Sequence, residues 1–237
     1  MGQLFGNKTN HFWGYRFINI RFHLFKKYEL IFLVLNIVSF FALAKVFQDA
    51  LSTHSFLANF DVYVNIFMAN HNTSFLASLA KIISNMGSTL VISLLGAIIG
   101  GYFIIEKKWR RGVIMLLSVM STSVAVFLIK EIFMRARPDN ALYFLSDPSL
   151  PSGHAAISTS FFIILAYILA HHIHSIMKRE IAIVLCILAP LFIGLSRIVL
   201  NVHWASDVIA GWALGLFLAT SCVLLVRYVS FIFIHKE

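Results

Sequence analysis

The sequence predicts an all-α protein, a polytopic membrane helical bundle of about six transmembrane helices. Hydrophobic residues make up 59% of the 237 residues, charged residues make up only 12%, and the mean hydropathy is +0.85. A soluble domain carries about twice that charged fraction. Apolar runs of about 20 residues, the length that a helix needs to cross a bilayer, recur along the chain. The composition therefore indicates one membrane domain, which we place at residues 29–237.

Residues 1–28 precede the first apolar run and mix basic with aromatic side chains. This pattern is typical of an interfacial amphipathic segment on an anionic leaflet, and a disordered basic tail fits it about equally well. The segment lacks the apolar stretch and the small-residue cleavage site of a signal peptide. We expect it to lie on the cytoplasmic side of the membrane.

Six apolar runs predict the transmembrane helices, at residues 29–47, 87–105, 113–134, 154–172, 181–200 and 205–232. Residues 48–86 lack a long apolar run, so we expect an external loop there with one or two interfacial helices. Pro138 ends the third helix, and Pro190 predicts a kink in the fifth. The prolines and the glycine of residues 135–153 indicate a loop.

The distribution of basic residues predicts the orientation of the bundle. Thirteen of the 19 Lys and Arg residues fall in the N-terminal segment, in the turns at 106–112 and 173–180, and near the C-terminus. Because cytoplasmic segments are enriched in these residues, both termini are expected in the cytoplasm and the loops at 135–153 and 201–204 on the external face. In a bacterium the protein would lie in the inner membrane. Six basic residues remain on the external side: Lys45, Lys81, Lys130, Arg135, Arg137 and Arg197.

Several other features carry no separate function. The net charge of +9 follows from the orientation bias, and no basic tract on a polar face points to nucleic acid. The histidines at 171, 172 and 174 fit no zinc spacing and are typical of an interfacial turn, so we predict no metal and no cofactor. Cys186 and Cys222 lie within apolar runs, as core or lipid-facing residues do. The sequence does not indicate an oligomeric state.

Three short motifs collect charge and histidine where the predicted helices reach the external surface. They are Lys130-x6-Arg137-Pro138, Pro151-Ser152-Gly153-His154 and Ser196-Arg197-x5-His203-x3-Asp207. Cations at the ends of apolar helices are costly unless they are paired, so their concentration predicts an anionic ligand.

The first group of motif residues suits a phosphate. Lys130, Arg137 and Arg197 supply three cations for its charged oxygens. Ser152 adds a hydroxyl, and Gly153 lets the backbone N–H groups at the start of a helix approach the anion. The region 130–207 is therefore the expected site, and its ligand is expected to be a phosphate group.

The second group suits nucleophilic catalysis. His203 and Asp207 are four residues apart, so they share a face if the segment is helical, and the carboxylate can then orient the imidazole for attack on phosphorus. His154 stands at a loop–helix junction, where it can protonate a leaving oxygen. Two residues between motif positions, Glu131 and Arg135, fit either a local ion pair or a role in specificity.

Together the motifs closely resemble the tripartite signature of the type 2 phosphatidic acid phosphatase family. All the named positions match, in the family's order, and the resemblance covers about residues 87–232. It implies that His203 is a nucleophile forming a phosphohistidine, with Asp207 as its partner. It also implies that His154 acts first as an acid and then as a base, and that no metal takes part.

The resemblance implies a membrane phosphatase that acts on a lipid phosphate or pyrophosphate. The expected substrates are of the undecaprenyl pyrophosphate, phosphatidic acid, phosphatidylglycerol phosphate or lipid A phosphate type, with undecaprenyl pyrophosphate favoured in a bacterium. The alternatives are a lipid phosphotransferase with the same site, a non-catalytic lipid-binding or transport protein, and an enzyme with a soluble substrate, such as a sugar phosphatase. The motifs contact the phosphate, so they leave the identity of the lipid open.

Overall fold

The computed structural model describes residues 10–50, 52 and 56–234, with side chains over 29–50, 52 and 56–229. All regular structure in these ranges is α-helical, which confirms the predicted fold class. The helices are α1 Asn10–Ala50, α2 Phe56–His71, α3 Ser74–Met86, α4 Thr89–Ile105, α5 Trp109–Phe133, α6 Gly153–His172, α7 Ile176–Val199 and α8 Ala205–Ile234.

Six helical segments of the described chain are long and apolar enough to cross a membrane, as the sequence predicts. They are Glu29–Ala50, Ser74–Ile105, Trp109–Phe133, Gly153–His172, Ile176–Val199 and Ala205–Val229. The predicted helix boundaries agree closely except at the second span. That span includes α3 as well as α4, because Gly87 and Ser88 interrupt the helix for only two residues, and the Ser88 hydroxyl then accepts the N–H of Val91.

The predicted external loop at residues 48–86 and the predicted interfacial segment at residues 1–28 both stay predictions. Residues 48–86 contain α2 and α3, which is compatible with one or two helices in an external loop, although α3 is apolar enough to join a span. In the N-terminal segment, residues 1–9 and the side chains of 10–28 lie outside the described part of the structure. The backbone from Asn10 continues directly into the first span as one helix.

The centre of the bundle is the seam between α6 and α8. Gly211 faces α6 so closely that an added Cβ would lie 2.6 Å from the Ser152 carbonyl oxygen and 2.8 Å from the Cβ of Ala155. Small residues allow such backbone approach between membrane helices, where packing drives association. The seam therefore brings the start of α6 directly against the start of α8.

Two turns place loop residues over this seam. Helix α5 ends at Met134, which adopts a left-handed conformation with φ 44° and ψ 34° and turns the chain away from the helix axis. After α7, Asn201 also has a positive φ of 51°, a conformation that asparagine tolerates better than most residues. Residues 134–152 and 200–204 consequently cover the same end of the bundle.

Candidate active site

The structure brings the three motifs together at this end of the bundle. The Ser152 N–H donates to the Asp207 carbonyl oxygen at 2.9 Å, which joins the second motif to the third. Arg137 Nη1 lies 3.1 Å from His203 Nε2, which joins the first motif to the third. His154 is half-buried on the first turn of α6 and lies within electrostatic range of Arg197 and His203. The predicted site residues thus share one region.

The His203 imidazole is held with one nitrogen toward a cation and the other toward a carboxylate. Arg137 can only donate, so Nε2 of the neutral ring accepts and the ring proton lies on Nδ1. Nδ1 faces Asp207 Oδ2 at 3.5 Å and has no hydrogen-bond partner in the described residues. Apo catalytic pairs are often this long and shorten when substrate binds.

Burial and the positive charges around His203 keep its imidazole neutral. Burial, together with the positive charges of Arg137, Arg197 and Lys130, holds the pKa of His203 well below its usual range. Nε2 is therefore unprotonated at neutral pH, and its lone pair accepts from Arg137.

Asp207 is fully buried and is positioned by two hydrogen-bond donors. Its Oδ2 accepts the Trp204 N–H at 2.9 Å, and its Oδ1 accepts Arg135 Nη1 at 2.6 Å. The pKa of Arg135 is raised above its usual value, because the charges of Asp207 and Asp61 and the hydrogen bonds to them outweigh the opposing effect of burial. Arg135 therefore pairs with Asp207 and Asp61, so the described residues do not form the local ion pair of Glu131 and Arg135, and the role in specificity stays open.

Lys130 and Arg137 already share an anion, which is the carboxylate of Asp147. Lys130 Nζ lies 2.7 Å from Asp147 Oδ2, and Arg137 Nη2 lies 2.9 Å from Oδ1. Burial alone would raise the pKa of Asp147, but the hydrogen bond from Lys130 and the two positive charges lower it to about 2. The two cations consequently form a site that can bind two oxygen atoms of one anion.

Arg197 is the third cation and is almost completely buried, at 2% exposure. Its Nη1 donates to the hydroxyls of Ser84, from α3, and Tyr143, from the loop after α5. Its Nε has no partner in the described residues. The guanidinium is thus fixed by neutral groups and keeps its charge available for a ligand.

At the start of α6, Gly153 has a packing contact in addition to its predicted role at the phosphate. The Ser152 hydroxyl is buried without a hydrogen-bond partner in the described part of the chain, and its contact with a phosphate stays a prediction. At Gly153, however, an added Cβ would lie 3.2 Å from Thr89 Cγ2, on the neighbouring helix α4. Glycine therefore also allows the start of α6 to pack closely against α4.

Sequence reasoning missed three side chains that contact predicted site residues, namely Ser84, Tyr143 and Asp147, and a fourth, Asp61, that contacts Arg135. They belong to no motif, and their partners are distant in sequence. Only Asp61 left a signal, as an acidic residue within the apolar stretch that became α2. Within the described residues, no group of three or more His, Cys, Asp or Glu side chains could hold a metal.

These features define a class. A bundle with six apolar helices, and with three cations and a histidine–aspartate pair at one end, is that of an integral membrane phosphatase. The family comparison agrees: the PAP2 superfamily profile matches residues 111–231, and the chain belongs to this family. The resemblance drawn from the motifs is thereby confirmed, and the protein is a membrane-embedded hydrolase.

Named relatives extend the comparison. Phosphatidylglycerophosphatase B of Bacillus subtilis is 33% identical over 139 residues, which are 57% of this chain and 68% of that protein. The crystal structure of a transmembrane PAP2-type phosphatidylglycerolphosphate phosphatase from Bacillus subtilis matches with a TM-score of 0.68 and 26% identity, over 84% of this chain and 95% of that one. Aquifex aeolicus LpxE matches with a TM-score of 0.55 and 22% identity, over 75% and 98%, and supports the fold alone.

Proposed function

We propose that this membrane lipid phosphatase hydrolyses its substrate through a phosphohistidine formed at Nε2 of His203. The observation that carries the proposal is the surroundings of this nitrogen. The ring is neutral, its lone pair points toward Arg137, and Arg137 and Lys130 together hold an anion through two oxygen atoms. A phosphate in the place of the Asp147 carboxylate would lie next to the nucleophile.

In the first step, Arg137 turns from Nε2 to the phosphoryl oxygens, and the freed Nε2 lone pair attacks phosphorus in line and forms the N–P bond while the bond from phosphorus to the leaving oxygen breaks. The bound phosphate anion offsets the neighbouring cations, so that His154 takes up a proton with the substrate. His154 then gives this proton to the leaving oxygen, and the leaving group departs as an alcohol from a monoester or as a lipid monophosphate from a pyrophosphate. The imidazole then carries a positive charge, which the Asp207 carboxylate stabilises across the Nδ1 proton. Lys130, Arg137 and Arg197 neutralise the phosphoryl oxygens.

In the second step, His154, now deprotonated, takes a proton from water. The water oxygen attacks phosphorus, the N–P bond breaks, and the electron pair returns to Nε2. Inorganic phosphate leaves, and both histidines recover their initial protonation. No metal is needed at any point, because the three cations already supply the charge that a metal would.

The substrate is a lipid, because the site lies at one end of a bundle whose outer surface is apolar. A lipid can present its headgroup phosphate there while its chains remain in the bilayer. Phosphatidylglycerol phosphate is the first candidate, on the strength of the named activities of the two Bacillus subtilis relatives. Phosphatidic acid and undecaprenyl pyrophosphate are the others, since the motif residues contact only the phosphate.

The test is phosphate release by the purified full-length protein in detergent, on a panel of these three lipids. We expect turnover on at least one lipid, no effect of EDTA, and a loss of activity in His203→Ala. The matched control is His174→Ala, which removes an exposed histidine from the turn between α6 and α7. Full activity in His203→Ala would contradict the mechanism. Transfer of phosphate to a second lipid without release would instead identify a phosphotransferase.

A further inference from the structure

A second buried carboxylate lies on the far side of Arg135 from Asp207. Asp61 belongs to α2, outside every motif, and is only 2% exposed. Arg135 Nη2 lies 2.7 Å from Asp61 Oδ2, and Nη1 of the same guanidinium lies 2.6 Å from Asp207 Oδ1. One cation therefore joins α2 to the carboxylate that faces the nucleophile.

Asp61 also holds the first turn of α8 through the residue next to Asp207. The Ser206 N–H donates to Asp61 Oδ1 at 2.8 Å, and the Ser206 hydroxyl donates to Oδ2 at 2.5 Å. Arg135 Nη1 donates to the same hydroxyl at 2.7 Å. A buried carboxylate is costly unless it is paired and hydrogen-bonded, and both oxygen atoms of Asp61 are satisfied in this way. The geometry of Asp207 thus depends on α2 through two routes.

The charges of Asp61, Arg135 and Asp207 affect the positive charge that develops on His203. Arg135 is one positive charge shared by two buried carboxylates, so the group of three carries a net negative charge. That excess charge faces His203 Nδ1, where positive charge develops when the imidazole becomes phosphorylated. Without the Asp61 charge, Arg135 would neutralise Asp207 alone and would be free to draw it away from the imidazole.

We propose that Asp61 is a positioning residue for catalysis, acting through Arg135 on the orientation and effective charge of Asp207. This assignment rests on the proposed phosphohistidine mechanism and extends it to α2, a helix that the motifs do not include. Asp61 touches neither phosphate nor His203, so its removal should slow the chemical step and leave the affinity for the lipid phosphate unchanged.

The test compares Asp61→Asn with Asp49→Asn in the full-length protein, with turnover measured on the best lipid of the panel. Asp49 is also a buried acid and lines the same cavity of about 60 Å³ as Asp61 and Arg135, but its partner is Lys45, at 2.9 Å. We expect kcat to fall on the order of tenfold in Asp61→Asn, within the coupling range of one hydrogen-bond network. KM should be nearly unchanged, and Asp49→Asn should resemble the unaltered protein.

A double-mutant cycle separates positioning from a general structural effect. Arg135→Gln should lower kcat as well, and the pair Asp61→Asn with Arg135→Gln should lose less than the product of the two single effects. If Asp61→Asn does not fold, Arg135→Lys serves in its place, because a lysine keeps the charge but cannot contact both carboxylates as a fork does. Unchanged kcat in Arg135→Lys would overturn the proposal.

These experiments also distinguish the positioning role of Asp61 from the phosphohistidine mechanism on which it rests. Activity in His203→Ala would remove the phosphohistidine mechanism and the role of Asp61 with it. An inactive His203→Ala together with an Asp61→Asn that matches Asp49→Asn would leave the mechanism intact and remove only the positioning role. A rise in KM without a change in kcat would place Asp61 in substrate binding and would also overturn the proposal.

Discussion

At the scale of single residues, the two ring nitrogen atoms of His203 have different neighbours and therefore different roles in the proposed mechanism. Nε2 accepts a hydrogen bond from Arg137, the cation that also binds the Asp147 carboxylate. Nδ1 faces the buried carboxylate of Asp207 at 3.5 Å. An exchange of these surroundings would turn the lone pair away from the phosphate. In the proposed mechanism, these surroundings favour Nε2 as the attacking atom.

Asp147 gives a prediction at the same scale. Its carboxylate contacts both Lys130 and Arg137, so a substrate phosphate must displace it. We expect Asp147→Asn to lower KM by roughly two- to fivefold, the range that a half-exposed ion pair of up to about 1 kcal/mol allows. Because the pKa of Asp147 is about 2, the competition persists at every pH of a normal assay. Steady-state kinetics on the preferred lipid measures the effect.

The control for this variant is Asp139→Asn, which removes an exposed carboxylate from the same loop. KM should stay the same in the control, and inhibition by inorganic phosphate should become stronger only in Asp147→Asn. A higher KM in Asp147→Asn would show instead that the carboxylate prepares the two cations for the phosphate.

At the scale of elements, the seam between α6 and α8 sets the distance between His154 and His203. Gly211→Ala would place a methyl group 2.6 Å from the Ser152 carbonyl oxygen and force the two helix starts apart. We expect it to destabilise the protein by about 1–3 kcal/mol, as overpacking does, and to reduce kcat. Thermal unfolding in detergent and turnover on the lipid panel measure the two effects.

Gly101→Ala is the matched control, because an added Cβ at Gly101, in α4, would meet nothing within 4 Å. Replacing a helical glycine by alanine in open space should raise stability by up to about 1 kcal/mol and leave turnover unchanged. Equal losses in both variants would mean that the contact at the seam is not what matters.

The elements also show which features a sequence can predict. The long helices are apparent because each is a continuous apolar run bounded by charge, proline or glycine, and the three motifs stand at their ends. Helix α2 is too short and too mixed to stand out in this way. Asp61 finds its partner Arg135 at a sequence distance of 74 residues, for which no spacing rule exists. What could not be predicted is therefore the support of the site: the groups that hold Asp207, Arg197 and Lys130 in place.

At the scale of the whole molecule, pairing accounts for most of the basic residues that the charge bias predicts on the external side. Five of the six have partners at the same end of the bundle: Lys45 on Asp49, Lys130 and Arg137 on Asp147, Arg135 on Asp61 and Asp207, and Arg197 on two hydroxyls. These cations therefore belong to paired structures, whereas the basic turns at the other end are of the kind that the cytoplasmic side retains.

The orientation of the bundle is the last prediction. An even number of spans places both termini on one side, and the charge bias makes that side the cytoplasm. A cysteine introduced at Asp139, in a background with Cys186 and Cys222 replaced by serine, should react with a membrane-impermeant maleimide in intact cells. A cysteine introduced at Lys107, in the turn between α4 and α5, should react only after the membrane is opened. The reverse pattern would place the site in the cytoplasm, where it would act on lipids of the inner leaflet.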